Sequence, residues 1–136
     1  MLEKIEKDGR LLALVLRSDY SENGISFFTP KEFSQQLGYM KRPRGYLVQP
    51  HFHNYFSRDV SLTQEVLFIK TGSLKLFIYS NDKTLYFETT LKQGDVVLLA
   101  EGGHGFEMLE ETEIIEVKTG PHVGEQDKTR FDFSNE

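Results

Sequence analysis

The apolar residues of this chain come in short runs, each stopped after a few positions by turn-forming residues. The longest are Leu11 to Leu16 and Val96 to Ala100. Short runs bounded by Asn-Gly, Gly-Asp and Gly-Gly suit the strands of a sandwich or barrel. Aromatic residues are plentiful, with 11 Phe and 6 Tyr, and they favour the pleated, half-buried surface of a sheet. The predicted class is therefore all-β.

The turn signals divide the chain. Leu11 to Arg17 and Gly24 to Phe28 read as strands on either side of Ser21-Glu22-Asn23-Gly24. Thr29-Pro30-Lys31-Glu32 then predicts one short N-terminal helix through about Leu37, with Thr29 as cap, Pro30 in the first helical position and Gly38 as the stop. Lys41 to Arg44 is a basic loop, best read as solvated, and Gly45 to His53 is a predicted strand. After a polar connection the strands resume at Glu65 to Lys70, Leu74 to Tyr79, Thr84 to Leu91, Val96 to Ala100, His104 to Leu109 and Thr112 to Lys118. The 136 residues suit one domain with one core. Within it, N-terminal strands and the helix occupy 10–40, a core barrel about 45–118, and a polar tail 119–136 wraps the surface. Successive antiparallel strands with tight turns predict a closed or double-sheet barrel.

Bulk chemistry removes several functions. The net charge is -5, whereas neutralising nucleic-acid phosphates needs a basic face, so nucleic acid is not the expected partner. Neither long apolar run spans a bilayer. No charged-then-apolar leader with a small-residue cleavage site precedes the first strand, so no membrane is expected and the expected location is cytoplasmic. There is no cysteine. Any metal must then be held by nitrogen and oxygen.

Such donors are present in a suggestive order: His51-Phe52-His53, Glu65 and His104. In a strand, residues two apart share a face, so His51 and His53 would project side by side, about 6–7 Å apart at Cα. Glu65 has the parity of Leu67 and Ile69, and His104 that of Phe106 and Met108. Each polar group thus shares its face with large apolar side chains, as expected of a mostly apolar interior holding one polar site. Three imidazoles and a carboxylate suit a divalent ion such as Fe, Mn, Ni, Co or Zn without choosing among them. Leu47 and Gln49 share the parity of the histidine pair. With Leu67, Phe106 and Met108 they would line a pocket for a small-molecule substrate. The bland reading of each residue is a satisfied core histidine or a solvated carboxylate, and His122 is assigned to a surface loop.

The same residues fall into two motifs. Gly45, five residues, His51-x-His53, then Glu65 with six residues before Gly72 makes the first; Gly94-Asp95 leading through Val96 to Leu99 to Gly102-Gly103-His104 makes the second. This pattern resembles the cupin superfamily over about residues 45–118. The resemblance implies a double-stranded β-helix, a jelly-roll-like barrel, with a metal held by His51, His53, Glu65 and His104. It also implies a homodimer. The chain departs from the usual plan in the eleven residues between His53 and Glu65 and in Met108, where an Asn is common.

The expected function is a small cupin acting on or binding a small metabolite at a mononuclear metal site, by oxygenase, isomerase or lyase chemistry. One alternative is a metal-independent nucleotide-sugar isomerase or epimerase that uses a histidine pair as acid and base, with Arg42 and Arg44 near a phosphate. Another is a non-catalytic binding or sensing module. Glu101 is placed in a turn at the barrel mouth. Glu107, Glu110, Glu111, Glu113 and Glu116 are read as a polar outer face, and Phe77 with Tyr79 as an exposed aromatic patch suited to a dimer surface.

Overall fold

The computed structural model describes residues 1–133; the last three residues of the predicted tail lie outside the described residues. The chain is nearly all β, and every strand pairing is antiparallel. Its strands are β1 (Leu2–Lys7), β2 (Arg10–Leu16), β3 (Gly24–Phe27), β4 (Gly38–Lys41), β5 (Glu65–Thr71), β6 (Ser73–Tyr79), β7 (Leu85–Lys92), β8 (Val96–Leu99), β9 (Gly103–Met108) and β10 (Glu113–Lys118). Among the described residues a single 3-10 turn spans Gly124–Asp127. Among the described residues no helix is long and apolar enough to cross a membrane.

Three open sheets result: a five-stranded one in the order β1-β2-β8-β5-β10, a three-stranded one in the order β7-β6-β9, and the hairpin β3-β4. The barrel predicted from the turn pattern is therefore not closed. After β5 the chain passes at Gly72 from the larger sheet to the smaller, and it returns through Gly94-Asp95 into β8. The core lies between these two sheets. Ala13, Val15, Leu67, Ile69, Val97 and Leu99 meet Leu74, Leu76, Ile78 and Leu91, with Phe87, Phe106 and Ile114 packed at the margin. Period-two alternation sends Leu14, Leu98 and Val66 to the opposite face of the larger sheet, where they form a second cluster.

That second cluster explains why the predicted helix at 29–37 does not form. Phe28, Phe33 and Leu37 anchor the segment against Leu14, Leu98 and Ala100, and their spacing suits a loop laid on a sheet better than one helix face. The backbone closes with Phe28 N–H donating to Leu37 O at 2.9 Å, and Thr29 Oγ1 accepts from Leu37 N–H at 3.2 Å. Gln36 Nε2 donates to Pro30 O and Phe33 O, both at 2.8 Å, occupying carbonyls a helix would have used. Tertiary packing here outweighs the capping signal.

The predicted strand Gly45 to His53 is also absent. Residues 42–62 carry no strand, and all of them are exposed. A strand is stable through its cross-strand partner, and this segment has none. Its contacts are local, among them the turn Tyr46 N–H to Pro43 O at 3.2 Å and Arg42 stacked over the Tyr46 ring at 4.5 Å.

Candidate functional site

Glu65 opens β5 and lies opposite Leu99 of β8 and Lys118 of β10. His104 is the second residue of β9, opposite Ile78. Because opposite residues share a face, both side chains point between the sheets, as their parity with Leu67 and Phe106 predicts. They meet at the open end of the sandwich, with His104 Nε2 3.6 Å from Glu65 Oε2. The Glu65 side chain retains 14% and that of His104 32% of its full exposure. Burial pushes the imidazole below its ordinary value of 6.5; the carboxylates of Glu65 and Glu116 oppose that shift and the Lys128 ammonium reinforces it.

The pair forms part of the wall of a solvent-facing cleft of about 760 Å³. Phe106 continues the inner wall, Ser61 to Thr63 form the rim before β5, and Gln126 to Phe131 with Phe133 close the far side. A narrow apolar recess of about 40 Å³ lies adjacent, bounded by Leu12, Ile78 and Leu99 and sharing Glu65 and His104 with the cleft. The two polar groups thus stand where a ligand would pass from water to an apolar seat.

The C-terminal segment is a wall that strand reading missed. Thr63 Oγ1 donates to Asp127 Oδ1 at 2.7 Å, tying the 3-10 turn to the rim. Phe131 meets Tyr79 edge to face at 4.9 Å between ring centres, and Phe133 meets Phe77 at 5.2 Å. Glycines make these seats. A Cβ on Gly103 would stand 2.7 Å from Phe131 Cζ, and one on Gly105 3.0 Å from Phe133 Cε1. The sequence signal was the matched spacing Gly103-x-Gly105 and Phe131-x-Phe133. It also corrects the exposed aromatic patch: Tyr79 is 2% exposed, and the chain's own tail covers Phe77 and Tyr79.

The other predicted site residues lie elsewhere. His51 and His53 stand in the exposed 42–62 segment, their ring centres 5.4 Å apart, with His51 Nδ1 2.8 Å from Gln49 O. Among the described residues no group of three or more His, Asp or Glu side chains is placed to hold a metal. The structure brings Glu65 and His104 together, and the donors in place there do not by themselves fit a metal centre. Leu47 and Gln49 are exposed with the unpaired segment. Leu67 is sealed in the core below the cleft, and Met108 is exposed at the other end of β9. Only Phe106 of the predicted pocket residues lines the cleft. Glu116 is exposed, as a polar surface residue is expected to be, but its register opposite Leu67 sets it on the same side of the sheet as His104, whose imidazolium its charge favours. Glu101 is held by Arg10 Nε and Asn81 Nδ2, each at 3.1 Å. Arg42 is spent on Tyr46 and Arg44 faces solvent.

No family model, curated protein or solved structure matches this chain.

Proposed function

We propose that the cleft takes a small metabolite and that Glu65 and His104 act on it as a proton-transferring pair. The meeting of one imidazole and one carboxylate at 3.6 Å, on the inner walls of a cleft that opens to water, supports this reading above all. A neutral imidazole at working pH has a free lone pair to accept a proton from an acidic C–H or O–H. The Glu65 carboxylate would steady the imidazolium that results, and Glu116 adds to that field. Returning the proton at a second position isomerises the substrate, and returning it to the opposite face of the same carbon epimerises it. The apolar recess suits the uncharged part of such a molecule, and the polar outer cleft its hydroxyl or anionic groups.

The test incubates the purified protein in D2O with a panel of sugar phosphates and small hydroxy and keto acids. Deuterium incorporation is followed by NMR. We expect exchange into one class of compound, reduced about 10²–10⁴-fold in His104→Gln and Glu65→Gln. Binding without exchange would leave a sensing module. Exchange unaffected by both substitutions would remove the pair from the chemistry.

A divalent metal is the second reading, favoured by the neighbouring rings of His51 and His53 in a segment whose end, Ser61 to Thr63, forms the cleft rim. It requires that segment to carry both histidines to Glu65 and His104. Titration of the metal-free protein with Mn2+, Co2+, Ni2+ and Zn2+ decides it. Tight binding lost in both His51→Ala and His104→Ala supports the four-residue shell, and binding unchanged in His51→Ala contradicts it.

A further inference from the structure

The far wall of the cleft carries a cation that no side chain pairs. Lys128 follows the 3-10 turn, its N–H donating to Glu125 O at 3.1 Å, and it lines the cleft. Among the described residues its ammonium makes no hydrogen bond or ion pair. Its charge reaches His104 and Glu125, but Glu125 is already taken: Arg130 Nη1 donates to Glu125 Oε2 at 2.5 Å and Nη2 to Oε1 at 3.4 Å. Ser61 and Thr129 line the same cleft, and among the described residues their hydroxyls have no partner either. The wall itself is fixed. Asp127 accepts from Thr63 on the rim, and Phe131 and Phe133 sit on Gly103 and Gly105. An ammonium on such a wall can take an anion without first ordering the chain that bears it.

We propose that Lys128, with the hydroxyls of Ser61 and Thr129, is the anion-binding element of the cleft, and that the ligand is a small acid with a short apolar end. The charges orient it. The Glu65 carboxylate stands at the mouth of the apolar recess and repels an anion from that end, so the acid group turns to Lys128. The recess measures about 40 Å³, against the roughly 10–15 Å³ that one water needs. It therefore admits only a few atoms, beside Leu12, Ile78 and Leu99. A carboxylate and a phosphate both answer to an ammonium with neighbouring hydroxyls. The inference rests on the reading of the cleft as the metabolite site, and it sets the reacting carbon between the two ends, beside Glu65 and His104.

Binding, rather than exchange, tests this, so that the two proposals fail separately. The full chain, labelled with 15N, is titrated with propanoate, with ethyl phosphate and with the neutral propanamide, and amide shifts are followed by NMR. At least one of the acids should bind about 10-fold or more tightly than propanamide, and the tighter of the two identifies the anion. Lys128→Gln should remove that advantage and Lys128→Arg should keep most of it; Lys128 is exposed, so both variants should fold. Acids that bind no better than the amide, an advantage that survives Lys128→Gln, or one lost only in Arg130→Gln would each overturn the proposal. Lys128-dependent binding of an acid in a protein that exchanges no deuterium would uphold this inference and remove the proton-transfer reading. Exchange confined to neutral compounds would do the reverse.

Discussion

Replacing Asp95 by Ala tests the physical account of how the two sheets are joined. Asp95 is 0% exposed and ends the turn that carries the chain from β7 into β8. Its carboxylate accepts from Ser18 N–H at 2.9 Å, Lys92 N–H at 2.9 Å and Arg17 Nη1 at 3.1 Å. Its backbone O accepts from Ile69 N–H at 2.9 Å, so the same residue fixes β5. Ala would leave two partly buried backbone donors, Ser18 N–H and Lys92 N–H, without their acceptor, at up to about 1–3 kcal/mol each. Arg17 would keep Glu3 and Thr90 O, both at 2.7 Å, and Thr89 at 2.8 Å, so its charge is not stranded. The expected loss is about 3–5 kcal/mol. For a domain of this size that is a fall in melting temperature of about 10–20 °C. Urea unfolding followed by circular dichroism measures it. With Arg17→Met added, a double-mutant cycle should give a coupling of about 1–3 kcal/mol. A loss below about 1 kcal/mol with an unchanged denaturant slope would refute the reasoning.

Gly103→Ala should unseat Phe131, since the new methyl group meets both Phe131 Cζ at 2.7 Å and Tyr79 Cβ at 3.3 Å. Trypsin should then cut faster after Lys128 and Arg130 while the sheets stay folded; an unchanged cutting rate would show that the tail is not seated by that glycine. Asp82 is held at about 2, below its ordinary 3.8, by hydrogen bonds from Ser80 and Thr84. The folded state thus prefers the ionised form. That contribution is complete above 3.8 and is lost as pH falls through about 2. Stability of the wild type relative to Asp82→Asn should shrink over that acid window, and a constant difference would contradict the assignment.

Much of the fold follows from period two, which places Glu65 with Leu67 and His104 with Phe106 on inward faces that the structure realises. The same rule fails where a strand lacks a neighbour. His51-x-His53 has the alternation but nothing to pair with, and pairing is a property of two segments. β1 escaped the pattern because Leu-Glu-Lys-Ile-Glu-Lys repeats every three residues and buries only Ile5, beside a register shift at Ile5/Glu6. Phe28, Phe33 and Leu37 carried a packing instruction that the cap at Thr29 obscured. The tail's role was written in four residues, Gly103, Gly105, Phe131 and Phe133, whose complementarity becomes legible only when β9 is known to lie beside Phe77 and Tyr79.

The central claim is that Glu65 and His104 form one functional pair, and titration of the His104 ring by NMR in metal-free protein tests it most directly. The account predicts a midpoint below 6.5 in the wild type and a further fall in Glu65→Gln, because removing the carboxylate removes an influence that favours the imidazolium. A midpoint at or above 6.5 that ignores the Glu65 substitution would mean that the two side chains do not share a site.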